Sequence, residues 1–229
     1  MIKSLNIRVY KDEDRSNFQF YDGGVADLYL KNLNKIDTGV IKYINIYFTK
    51  KDNLKIIEEG SFLDINVYFD FEHFEKLSDN YQKKKYILDS LQIALLNLCD
   101  KFEWECLEFI NSASKCISQQ LNYEWIFKNK LFQSPDKCYY FGLYCKIDIS
   151  SFEIYEIVYN SKKNEIARRL CFKDKVPVFL IENAYWGENS LFFQYKFIGP
   201  SKIFTARVED IINHVQCDLT EPTSLFFKG

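Results

Sequence analysis

Residues 78–102, SDNYQKKKYILDSLQIALLNLCDKF, decide the fold. Leu88, Leu91, Leu95, Leu98 and Phe102 recur at spacings of 3, 4, 3 and 4, the stripe of a helix that buries one face. Ser78 or Asp79 can cap its start by accepting backbone N–H groups. The same spacing follows in Leu107, Ile110, Ser114, Ile117 and Leu121. DKFEWE, residues 100–105, lies between the stripes and holds neither Gly nor Pro, so a short bend is expected there. The pattern predicts helices over 79–102 and roughly 104–119, with Leu91, Leu95 and Leu98 in the core.

Outward from this block the period changes to two. Residues 1–70 read as a β-meander. LNIRVY, VADLYLK, VIKYINIYFT and FLDINVYFDF alternate, with DGG at 22–24, KKDN and EEGS as breaks. In the last of these strands Leu63, Ile65, Val67, Phe69 and Phe71 share one side, and Phe62, Asp64, Asn66, Tyr68 and Asp70 the other. One polar side means a sheet covered on one side only, and a two-helix layer is the natural cover. After Asn122 strands resume: NYEWIFKNKLF, KCYYFGLYCKIDI, SFEIYEIVYN, EIARRLCF, VPVFLI, LFFQYKF and KIFTARV. SPD, SS, NSKKN, KDK, NAYWGEN and IGPS separate them, and EDIINHV from Val208 reads as a short helix. The expectation is an α+β fold with antiparallel sheets before and after a central two-helix layer. It forms one domain over 1–229, with sub-lobes at 1–76, 77–121 and 122–229.

Charge and composition exclude several classes. Thirty basic residues against thirty-two acidic ones leave no field to gather a phosphate backbone, so nucleic acid is not an expected partner. KKK at 83–85 and RR at 168–169 read as a solvated helix face and a charged strand. The uncharged run 90–99 is far short of the roughly 20 residues that span a bilayer, and the N-terminus lacks an apolar signal region. A cytoplasmic protein with reduced thiols is expected. Seven cysteines without a CxxC, and only His73 and His214, give no metal-ligand spacing. No GxSxG elbow or phosphate-binding glycine loop occurs. No catalytic residue, cofactor or metal is expected.

What stands out is local acidity. Residues 58–75, EEGSFLDINVYFDFEHFE, hold six carboxylates and no Lys or Arg. The non-core sides of the early segments also collect Tyr10, Tyr29, Tyr43, Tyr47 and Tyr68 with Asp27, Asn45, Asp64 and Asn66. Tyrosine brings rigid contact area with a polar tip, which suits a protein interface. Tyr47, Asp64, Asn66, Tyr68, Asp70 and Glu72 are the expected partner-binding residues.

KKKYILDSLQIALLNLCDKFEWECLEFINSASKCI resembles the central helical segment of immunity proteins from bacterial polymorphic-toxin systems. The resemblance rests on Lys83, Lys84, Lys85, Ile87, Leu88, Asp89, Leu91, Ala94, Leu95, Trp104 and Leu107, and on the order strands, helix pair, strands. It implies a small cytoplasmic, non-enzymatic inhibitor that binds and occludes a cognate toxin domain; separately, the negative potential of the face with Asp64 and Asp70 would attract a basic domain such as a nuclease. Two rival readings are a homo-oligomeric scaffold or accessory protein and an enzyme built on a Cys/His pair.

Overall fold

A computed structural model describes residues 1–9, 22–51, 54–174, 181–187, 192–197 and 203–213. The fold is α+β, and the chain divides into two compact units: residues 1–123 with 148–150, and 124–147 with 151–229. The helical pair belongs with the first sheet.

The first unit runs β1 (Ser4–Val9), α1 (Val25–Asn32), β2 (Tyr43–Thr49), β3 (Lys55–Glu59), β4 (Phe62–Tyr68), α2 (Phe71–Lys76), α3 (Asn80–Phe102) and α4 (Cys106–Ser118). Its sheet has the order β1-β2-β4-β3. Only the β3–β4 hairpin is antiparallel; β1 and β4 both run parallel to β2. The expected meander is thus replaced by crossovers, which parallel neighbours require. The first crossover contains α1, formed by the VADLYLK segment that reads as an alternating strand. Val25, Ala26, Leu28 and Tyr29 are buried in it, a helical spacing that Val25–Asp27–Tyr29 alternation imitates over a few residues. Asp22 starts α1 by accepting the N–H groups of Gly24 and Ala26 at 3.0 and 2.9 Å. Gly23 turns at φ +62°, and a Cβ there would meet the Ile149 backbone nitrogen at 2.9 Å.

Ile44, Ile46, Phe48, Leu63 and Ile65 line the covered side of the sheet and are fully buried, as are Leu91, Leu95 and Leu98 of α3. Asp79 caps α3 by accepting from Tyr81 and Gln82 N–H, as expected from the sequence. At the other end Glu103 turns left-handed (φ 54°, ψ 36°), and Trp104 N–H closes back on Cys99 O at 3.0 Å. That closure makes the bend without glycine.

The second helix is phased differently from its aliphatic stripe. Phe109, Ser112 and Cys116 are the buried positions of α4, whereas Leu107, Ile110 and Ile117 are 56, 45 and 39 % exposed. The inward side is fixed by α1: Ser112 Oγ donates to Tyr29 O at 2.7 Å, and the Tyr29 hydroxyl lies 2.7 Å from Phe109 O. Leu121 is buried but lies past the helix.

The second unit begins with β5 (Tyr123–Ile126), whose first residue still belongs to the first unit. A 3₁₀ turn at Phe127–Asn129 interrupts the strand expected over 122–132. Then come β6 (Phe132–Gln133), β7 (Tyr139–Ile147), β8 (Phe152–Asn160), β9 (Glu165–Asp174), β10 (Ile181–Trp186), β11 (Phe192–Phe197), β12 (Ile203–Arg207) and α5 (Val208–Ile212). One antiparallel sheet has the order β5-β7-β8-β9 with β6 beside β7; the other is β10-β11-β12. β10 takes in Asn183–Trp186, which reads as a break in the sequence, while 176–180 of the expected VPVFLI strand lie outside the described residues. Phe141 stacks on Phe193 at 3.8 Å, with Trp186 edge-on to both. Buried Glu156 accepts from Arg169 Nε and from the Tyr195 hydroxyl, each at 2.8 Å. Burial raises its carboxyl above the ordinary range, against the pull of Arg169.

Candidate functional site

The side of the first sheet opposite its buried core residues is built in cross-strand rows. The parallel register of β1, β2 and β4 sets Asn6 beside Asn45 and Asn45 beside Asp64, with Ile57 of β3 completing the row. The next row is Arg8, Tyr47, Asn66 and Lys55, and the one before is Ser4, Tyr43, Phe62 and Glu59. Because side chains alternate along each strand, all of these share the side opposite the core.

Hydrogen bonds run in one direction along the polar row. Ser4 Oγ donates to Asn6 Oδ1 at 3.1 Å, Asn6 Nδ2 to Asn45 Oδ1 at 3.0 Å, and Asn45 Nδ2 to Asp64 Oδ1 at 2.8 Å. The chain of donors ends on the carboxylate. Among the described residues none donates to Asp64 Oδ2, so this oxygen is left to accept from outside. Tyr43 and Phe62 stack beside it at 4.7 Å, and Phe62 and Tyr68 are each 50 % exposed. The row fixes the carboxylate; the rings supply apolar area.

Of the six expected binding residues, Tyr47, Asp64, Asn66 and Tyr68 come together on this side. Asp70 and Glu72 do not. Asp70 is the N-cap of α2, where its carboxylate accepts His73 N–H at 3.0 Å, and Glu72 lies exposed in the first turn of that helix. Tyr29 is wholly buried, Asp27 sits on α1, and Tyr10 lies outside the described residues. Alternation already sets Asn6, Arg8 and Phe62 opposite the core residues, but the sequence reading did not count them among the binding residues, and it passed over Lys55. Arg8 and Lys55 matter most, because they add two cations to the side of the sheet that carries Asp64 and Glu59. The acidity of 58–75 is therefore not the charge of the sheet surface, which is mixed.

Lys84 is the second omission. It lies in the run read as solvated, yet it is 3 % exposed. Its ammonium donates to Leu121 O at 3.1 Å and pairs with Asp148 Oδ1 at 3.1 Å. Burial alone would raise the Asp148 carboxyl; Lys84 and the Ile149 N–H outweigh it and hold the group below the ordinary value. With Asp79, Asn80, Tyr81, Gln120 and Asn122 these two residues line an open cavity of about 590 Å³. Both ends of the pair are thus committed to each other and to the backbone.

Arg168 and Arg169 also depart from a plain charged strand. Arg168 lies over the Tyr144 and Tyr155 rings at 4.7 and 5.7 Å and pairs with Glu165, while Arg169 points inward to Glu156. His73 meets the Tyr86 ring edge-on at 5.1 Å; His214 and Cys217 lie outside the described residues. Among the described residues no group of three or more His, Cys, Asp or Glu could hold a metal ion, and no helix is long and apolar enough to cross a membrane.

No family model, curated protein or solved structure matches the chain.

Proposed function

We propose that this chain is a non-enzymatic protein-binding inhibitor, an immunity protein that occludes a cognate toxin domain in the cytoplasm. The observation that supports this reading is the sheet surface opposite the core, with its hydrogen-bonded row ending on Asp64 beside half-exposed Phe62 and Tyr68. A partner can set an Arg or Lys on Asp64 and apolar groups against the rings. Such a surface selects by complementarity and needs no chemistry. Arg8 and Lys55 on the same side call for acidic groups opposite them, so recognition depends on the position of charges more than on a net negative field. A basic nuclease domain remains the partner class proposed for the Asp64 end. Co-purification with the product of the neighbouring reading frame tests this: a stoichiometric complex weakened by Asp64→Lys supports it, and a complex indifferent to that change refutes the surface.

A second reading has its own observation. Leu107, Ile110 and Ile117 form an exposed aliphatic stripe on α4, which suits a homo-oligomeric scaffold. A dimer in sizing chromatography that Ile110→Lys turns into a monomer would favour it.

A further inference from the structure

We infer that β3 is the interface of a homodimer, in which the open edges of two copies pair antiparallel about Ile57. Among the described residues β3 pairs with β4 alone, so its far edge closes that side of the sheet. Which backbone groups lie on that edge follows from the ladder. Ser61 O accepts the N–H groups of Lys42 and Tyr43 at 2.9 and 3.1 Å, and Phe69 N–H donates to Thr49 O at 2.8 Å. The odd-numbered residues of β4 therefore turn their backbone groups to β2. Phe62, Asp64 and Asn66 turn theirs to β3, where they face Glu59, Ile57 and Lys55. The two-residue turn at Gly60 and Ser61 fixes the same phase. That leaves the N–H and C=O groups of Ile56 and Glu58 directed away from the sheet, where another strand can pair with them.

The order of side chains selects a second copy as that strand. An antiparallel pair centred on Ile57 sets Ile56 opposite Glu58 of the second copy, and Glu58 opposite its Ile56, so all the outward groups close hydrogen bonds. The same register sets Lys55 opposite Glu59, once on each side of the two-fold axis, and Ile57 opposite its own counterpart. Lys55, Ile57 and Glu59 are all exposed, and Ile57 is 47 % so. Among the described residues neither Lys55 nor Glu59 makes an ion pair, so each is free to meet the other across the axis. A lysine on an edge strand ordinarily blocks such pairing; here the self-paired register supplies its counter-charge. Neighbouring registers lack this match. Centring on Glu58 sets that carboxylate against its own copy, and centring on Ile56 sets Lys55 against Ile57. The axis crosses the plane of the sheet, so the Asp64 rows of both copies fall on one side of a joined sheet.

The experiment measures self-association of the full chain by sedimentation over a concentration series. It needs no toxin, so its outcome is separate from that of the Asp64 reading. The expected result is a monomer–dimer equilibrium. Lys55→Glu and Glu59→Lys each turn both ion pairs into like-charge contacts and should raise the dissociation constant about tenfold or more. An equimolar mixture of these two variants restores opposite charges at both places and should dimerise again, which a folding defect in either would not allow. Glu58→Pro removes an outward N–H from each copy but no bond to β4, and should also weaken the dimer. The proposal is overturned by wild-type protein that stays monomeric at every concentration, by a dimer that is indifferent to these changes or that only Ile110→Lys dissolves, or by charge variants that fail to pair when mixed.

Discussion

Lys84 Nζ lies 3.1 Å from Asp148 Oδ1, and the two ends of this pair differ in exposure: the lysine side chain is 4 % exposed and the aspartate 25 %. Removing either partner therefore has unequal consequences. Asp148→Ala strands a buried ammonium, a loss of about 3 kcal/mol for a buried pair broken from one side. Lys84→Met leaves a carboxylate that water can reach, together with an unpaired Leu121 carbonyl worth about 1–3 kcal/mol. We expect Asp148→Ala to lower the urea midpoint more than Lys84→Met. The reverse order would show that the buried end is not the costly one.

The same pair sets a pH dependence. The folded Asp148 carboxyl titrates below its ordinary value, so the folded state binds its proton less readily than the unfolded chain does. Its contribution is complete above the unfolded value, about 3.9, and is lost as pH falls through the folded one. The stability gap between wild type and Asp148→Asn should be constant at neutral pH and narrow below about pH 4. Urea midpoints across the acid limb measure it; a gap that widens on acidification would reverse the sign.

Side-chain truncations test the phase of α4. Leu95→Ala should cost about 2–5 kcal/mol and Phe109→Ala about 3–5 kcal/mol, since both side chains are fully buried. Leu107→Ala, at an exposed position of the stripe that looks like core, should stay within about 0.5 kcal/mol. Equal losses at 107 and 109 would mean that the helix is rotated in solution.

These residues also show how far sequence carries. The long helix α3 was legible because its stripe keeps helical spacing from Leu88 to Phe102, over most of a 23-residue helix. The eight-residue helix α1 was not, because Val25, Asp27 and Tyr29 fit period two as well as a helix. In α4 an aliphatic stripe competes with Phe109, Ser112 and Cys116, and the choice belongs to α1: Ser112 looks like a surface residue until Tyr29 O is there to accept its hydroxyl. Lys84 reads as solvated because its partners lie at 121 and 148, far along the chain. Tyr47, Asp64, Asn66 and Tyr68 shared a side by alternation alone. Arg8 and Lys55 joined them through strand register, which a single sequence does not encode.

Glu103 offers a test of the bend. A residue with a Cβ in the left-handed region carries strain of about 1 kcal/mol, and the position after a helix end favours glycine. Glu103→Gly should raise stability by about 0.5–1 kcal/mol with α3 and α4 unchanged. Destabilisation in urea would indicate that the Glu103 side chain does something its backbone geometry does not reveal.

The sheet surface carries the functional reading and the sharpest test of it. Asp64 receives the end of the Ser4–Asn6–Asn45 chain of donors on one oxygen and keeps the other open. Asp64→Asn keeps the shape and can still accept from Asn45, but removes the charge; Asp64→Lys reverses it. Tyr68→Ala removes half-exposed ring area without touching the polar row. If a cationic group of the partner sits on Asp64, Asp64→Asn should weaken binding by about 2 kcal/mol, the scale of a charged hydrogen bond, and Asp64→Lys by more. Much of the Asp64→Lys loss should appear as slower association at low salt, shrinking as salt rises. Tyr68→Ala should act mainly on dissociation and be insensitive to salt. Binding kinetics at two salt concentrations, with circular dichroism to confirm an unchanged fold, separate these effects. Salt-independent losses at Asp64 would mean that its role is to hold Asn45 in place, and the partner surface would then have to be sought elsewhere on the chain.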